Sequence, residues 1–124
     1  DMLGLVNHND KRWVNLLANL RHYSMTIICT SQYFAAGCAT TQMRNQADLA
    51  LMWECRFARS RKAYWEAFGT YFAHQEEFER VLDEATREQY SALVYNAYAR
   101  EPAEMYFSYK APELPDFQIK FKPI

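Results

Sequence analysis

The sequence predicts an α/β unit made of two buried strands of the parallel-sheet kind, three helices and a C-terminal β-hairpin. Three observations predict it. Residues 25–30 and 47–53 are short runs that are apolar on both parities, as strands covered on two sides are. Apolar residues spaced by three and four positions mark helices around them. Towards the C-terminus the pattern changes to alternation, interrupted by Arg100-Glu101-Pro102, as a hairpin requires.

Taken in order, Asp10 is placed to cap a helix running to about Arg21, with Trp13, Leu16, Leu17 and Leu20 on one face. Residues 25–30 form the first strand, and a small-residue loop containing Gly37 follows. Thr40 or Thr41 then caps a short helical turn through Arg44, and residues 47–53 form the second strand. A helix over residues 58–68 carries Tyr64, Trp65 and Phe68 on one face and ends at Gly69, a residue type suited to the left-handed position after a helix. The clearest helix spans residues 75–88. Its apolar stripe is Phe78, Val81, Leu82 and Ala85, and acidic residues occupy its first turn, where the helix dipole favours them. Residues 91–98 and 105–109 are the strands of the hairpin. Pro112, Pro115 and Pro123 make residues 111–124 an extended, irregular tail.

No repeat or linker interrupts the 124 residues, which are read as a single partial domain. The start at Asp1, running straight into an apolar stretch, reads as a chain cut within a domain. With 50% hydrophobic and 16% aromatic residues the composition excludes a disordered segment. A net charge of −1 provides no general attraction to nucleic acid, so any DNA contact must be local. No apolar run reaches the length of a membrane span, and no signal peptide is evident. Cys29, Cys38 and Cys55 are an odd set without CxxC spacing, which argues against a disulfide framework and for a reducing, intracellular location.

The chemistry concentrates between Arg21 and Asp48. A helix ends in Arg21-His22, an apolar strand follows, and Thr30-Ser31-Gln32 stands at its carboxyl end, where open α/β sheets bind ligands. A glutamine there can orient an attacking water or sense a phosphate. The ordinary alternative is a polar strand end with no ligand. The runs LRHYSMTIICTSQYF and QMRNQADLALMW, with FERVLDEATREQYSALVYNA further on, resemble the C-terminal half of the DNA-packaging ATPases of poxviruses and other large nucleocytoplasmic DNA viruses. These belong to the FtsK–HerA superfamily of P-loop ATPases.

The resemblance implies the C-terminal half of a P-loop ATPase sheet, with the Walker A half missing. It implies ATP and Mg²⁺ as cofactors, a homo-oligomeric ring, double-stranded DNA and a viral capsid as partners, and a place in the virion or host cytoplasm. Asp1 matches the second acid of Walker B, near Mg²⁺ or the attacking water. Gln32 matches the sensor of the γ-phosphate, supported by Thr30 and Ser31. Arg21, and after it Arg44, is the candidate arginine finger, a task suited to a permanently charged group that grips phosphate oxygens in a fork. The alternative for either arginine is a surface residue at a helix end. One departure stands out. Gly4, Gly37 and Gly69 are the glycines, and none begins a GxxxxGK[ST] run. Without that loop and its lysine the chain alone is expected neither to bind ATP tightly nor to turn it over.

Weaker signals are weighed beside these. Arg56, Arg59, Arg61 and Lys62, interleaved with Phe57, Tyr64 and Trp65, are either a phosphate-gripping patch or a solvated helix face with its aromatics turned inward. His8, His22 and His74 lack metal-ligand spacing, and the acidic residues of the helix over 75–88 are spread around it. Cys29 is expected in the core. Two other functional classes stay open: a non-enzymatic DNA- or capsid-associated module without a nucleotide site, and a thiol enzyme using Cys38.

Overall fold

The computed structural model describes residues 10–31 and 41–113. The chain runs as α1 (Lys11–Ala18), α2 (Thr41–Gln46), β1 (Leu49–Met52), α3 (Ala58–Phe68), α4 (Gln75–Ala85), β2 (Ser91–Asn96), α5 (Pro102–Met105) and β3 (Tyr106–Lys110). The expected α/β character holds: one three-stranded sheet, in the order β1-β2-β3, carries helices. The pairing differs from the expected one. β1 is antiparallel to β2, with Leu51 opposite Val94 and Met52 opposite Leu93, and β2 is antiparallel to β3, with Leu93 opposite Ser108. A strand's own residues do not state the direction of its neighbour, so parallel and antiparallel partners look alike from a four-residue run.

Helix starts follow from the residues at their ends. Asp10 caps α1: its carboxylate accepts the backbone N–H of Arg12 at 2.8 Å, and Arg12 Nη2 returns to the same carboxylate at 2.8 Å. Glu76 and Glu77 sit in the first turn of α4. Pro102 opens α5, which replaces the expected plain turn between the hairpin strands with one turn of helix. Gly69 ends α3 as expected, but by another mechanism. Its φ is −98°, well outside the left-handed region. Glycine is needed there for space, because a Cβ would lie 2.7 Å from Trp65 Cδ1, 2.9 Å from Trp65 Cα and 3.0 Å from Phe78 Cδ2.

The core lies between α3, α4 and one face of the sheet. Met52, Phe68, Phe78, Leu82 and Leu93 are its buried members. Burying an aliphatic or aromatic side chain of this size contributes about 1.5–3 kcal/mol. Tyr95 and Tyr106, opposite one another in the β2–β3 register, extend the core towards Phe68 and Phe72, with ring centroids 5.0–5.7 Å apart. The Tyr106 hydroxyl donates to the Phe68 carbonyl, satisfying an acceptor at the end of α3. Ser108 Oγ donates to Ala85 O at 3.2 Å and ties β3 to the end of α4.

Arg61 holds α3 to α4. Its side chain is only 14% exposed; Nη1 and Nη2 donate to the Asp83 carboxylate at 2.7 and 2.9 Å, and Nε lies 3.2 Å from Glu79 Oε2. Two carbonyls, Cys55 O and Glu79 O, take further bonds from the same guanidinium. The opposite face of the sheet is less covered: Leu49, Leu51, Phe107 and Tyr109 remain substantially exposed. The double apolar parity of β1 predicts cover on both faces; among the described residues α3 and α4 cover one, and on the other only Ala92 and Val94 of the central strand are buried.

The first expected strand does not form. Residues 25–31 take no regular structure; Ile28 is 86% exposed, and Met25 and Cys29 are exposed with it. β-propensity orders a strand only where a neighbouring strand accepts its backbone N–H and C=O groups, and no strand of the described sheet lies beside this segment.

Candidate functional site

The site residues named from the sequence divide into three groups. Asp1 and Gln32 lie outside the described residues, as do Gly37, Cys38 and the tail beyond residue 113. Thr30 and Ser31 are exposed at the end of the irregular segment rather than at the end of a strand. Arg21 and Arg44 both fall on defined structure. Arg44 is in the last turn of α2, partly buried, where a cation suits the helix dipole.

Arg21 sits in the turns that follow α1, between Asn19 and Ser24, a stretch closed by hydrogen bonds such as Tyr23 N to Asn19 O at 3.2 Å. Ser24 completes the turn with φ at 51°. From there the guanidinium reaches the sheet. Its Nη2 donates to Asp48 Oδ1 at 3.0 Å and to the Tyr98 hydroxyl at 3.3 Å. Its central carbon lies 5.5 Å from the centroid of the Tyr98 ring, within cation–π range. Hydrogen bonding to Asp48 first, then the field around Tyr98, raises the arginine's pKa further, so it is a fixed cation.

Asp48 and Tyr98 flank the same end of the β1–β2 ladder. The Ala97 N–H donates to Asp48 O at 2.9 Å, and the Tyr98 N–H donates to Asn96 Oδ1 at 3.0 Å. In the sequence Asp48 lies in the QMRNQADLALMW run and Tyr98 at the end of the first hairpin strand, and neither position points to Arg21. The separations, 27 and 77 residues, put that link beyond any local pattern.

Elsewhere the structure disperses what composition had grouped. In the basic and aromatic run around α3, Arg56 pairs with Glu54 at 3.1 Å, Lys62 with Glu66 at 3.6 Å, and Arg61 turns into the α3–α4 junction. Tyr64 and Trp65 pack against the core, leaving Phe57 and Arg59 outside. That is the helix-face alternative rather than a continuous phosphate-gripping patch. The acidic residues of α4 are likewise used separately: Glu79 and Asp83 by Arg61, and Glu88, beyond the helix, by Lys110. Cys29, expected in the core, is exposed because its strand does not form, and the partial burial it retains raises its thiol pKa.

Among the described residues, no three His, Cys, Asp or Glu side chains are grouped to hold a metal ion, and no helix is long and apolar enough to cross a membrane. Among the described residues the one glycine, Gly69, is packed under Trp65 and is not part of a phosphate-binding loop. The arrangement the described residues do offer is a tethered, permanently charged guanidinium at one end of a sheet. Comparison with protein-family models, with curated proteins and with solved structures found no match to this chain.

Proposed function

We propose that this chain is part of a viral DNA-packaging ATPase that couples ATP hydrolysis to movement of double-stranded DNA into a capsid. The observation that carries the reading is the Arg21–Asp48 ion pair. It joins the two segments, LRHYSMTIICTSQYF and QMRNQADLALMW, whose order and spacing resemble that family. In this reading Arg21 is the finger offered across a subunit interface of a homo-oligomeric ring, Gln32 senses the γ-phosphate, and Thr30 and Ser31 support it. ATP and Mg²⁺ are held by a P-loop half that this chain does not contain, with Asp1 on the Mg²⁺ side. The outer edge of β1, the first strand in the sheet order, is the place for the Walker A strand. Residues 25–30 then become a strand on that strand's far side, which accounts for an apolar segment with no partner strand among the described residues. The site of action is the virion or the host cytoplasm.

The coding sequence and one variant test this. A GxxxxGK[ST] motif is expected roughly 80–150 residues upstream of Asp1, from typical domain sizes. In the protein carrying both halves, Gln32→Ala should abolish ATP turnover and leave the thermal unfolding unchanged. Turnover at the wild-type rate would remove the sensor role. A coding sequence with no P-loop would leave the second reading, a DNA- or capsid-associated module without a nucleotide site. The independent core beneath an antiparallel sheet favours that reading.

A further inference from the structure

We infer that Asp48 and Tyr98 are positioning residues for Arg21, fixing its guanidinium at the end of the β1–β2 ladder by Nη2 and leaving Nε and Nη1 as donors for an incoming phosphate. The inference rests on the reading above for the identity of that phosphate group. Its geometry stands on its own.

An exposed arginine is ordinarily a poor tool for transition-state chemistry, because its long side chain samples many rotamers and must be immobilised at the moment of use. Arg21 is 77% exposed, yet three contacts of different kinds converge on it: a carboxylate, a phenol oxygen and an aromatic face. Both partners are set on the rigid end of the ladder, Asp48 through its own carbonyl to Ala97 N–H and Tyr98 through its backbone N–H to Asn96. The contacts use one nitrogen. Both hydrogen bonds leave from Nη2, and among the described residues Nε and Nη1 have no acceptor. A structural arginine is commonly used in the opposite way, as Arg61 is, with all three nitrogens engaged. Arg21 is therefore held by one corner, and its Nε–H and Nη1 groups, which point in different directions, remain to donate one bond each to phosphate oxygens.

Two measurements test the assignment. The first follows the side-chain Nε–Hε signal of Arg21 in this chain by heteronuclear NOE, with exposed Arg59 as reference. Arg21 should be ordered in the wild type and as mobile as Arg59 in Asp48→Asn, with order restored in Asp48→Glu and unfolding unaltered in both. An Arg21 signal already as mobile as that of Arg59 in the wild type overturns the inference. The second uses the protein carrying this chain with its P-loop half. Asp48→Asn should lower kcat about tenfold to a hundredfold, the cost of a misplaced group, with KM for ATP within about twofold. Tyr98→Phe keeps the ring and loses the hydroxyl, and should fall between the two. An unchanged kcat in Asp48→Asn overturns the positioning role. If the wild-type protein shows no turnover, the ATPase reading fails and the NOE comparison alone decides whether Asp48 and Tyr98 hold Arg21.

Discussion

Replacing Gly69 with alanine separates two explanations of the same residue by the sign of the effect. The backbone at Gly69 has φ −98° and ψ 12°, a conformation open to any L-residue. If glycine served only to end α3, alanine would reduce the freedom of the unfolded chain and stabilise the protein by about 0.4–1 kcal/mol. The packing predicts the reverse. The added methyl would meet Trp65 Cδ1 at 2.7 Å, Trp65 Cα at 2.9 Å and Phe78 Cδ2 at 3.0 Å. Trp65 Cα belongs to the backbone of α3, and Phe78 is fully buried in the core, so neither has an easy way to move. Overpacking of this kind costs about 1–3 kcal/mol. We expect Gly69→Ala to lose about 2 kcal/mol in urea unfolding, seen as a fall of about 6–10 °C in Tm for a chain of this size. The m-value should be unchanged, since the surface exposed on unfolding is the same. A variant as stable as the wild type, or more stable, would refute the steric account.

Three other perturbations follow from particular contacts. Arg61→Met keeps the aliphatic stem and removes the clamp on Asp83 and Glu79, at a cost of about 2 kcal/mol, because charge-assisted bonds are discounted where one partner faces water. Its hydrogen bonds hold the Asp83 carboxyl below its ordinary 3.8, so the clamp's contribution is present above about pH 4 and fades as pH falls through the lowered value; urea midpoints of wild type and variant should converge in acid, and a constant gap would refute the linkage. Tyr106→Phe loses the bond to the Phe68 carbonyl, about 1 kcal/mol at neutral pH. Burial pushes the Tyr106 pKa up to about 12 from 10.0, so wild-type stability should decline as pH rises from 10 towards 12. The variant should show a flatter alkaline limb in the same melts, and identical limbs would assign the decline elsewhere. Tyr90 is an exposed residue with φ at 64°, and Tyr90→Gly should stabilise by about 0.5–1 kcal/mol in chemical unfolding by relieving the left-handed strain; a loss would mean that the ring makes contacts worth more than the strain.

Local chemistry was readable from residue order. Asp10 caps α1, residues 58–68 are α3, the stripe of Phe78 and Leu82 defines α4, and the alternation after Ser91 becomes the β2–β3 hairpin. Each depends on interactions within a few residues or on a periodicity that one face of a helix or strand imposes. What lay beyond the sequence depends on which segments become neighbours. Residues 25–30 have the composition of a strand and do not form one beside the described sheet, because backbone groups need a partner strand that composition cannot supply. β1 has the apolar parity of a strand, yet its antiparallel partner and the exposure of Leu49 and Leu51 appear only once β2 is placed.

The candidate site divides along the same line. Arg21 was visible as a cation at the end of a helix, whereas its tether combines a carboxylate 27 residues away and a phenol 77 residues away. The sequence by itself determined where α1, α3 and α4 begin and which side chains carry charge or bulk. Tertiary structure alone decided that Gly69 serves space rather than a turn, that Arg61 is a core clamp, and that Arg21 is held by one corner. The reason is common to all three: a distance between atoms far apart in the chain is set by the packing of whole elements, and no local pattern encodes it.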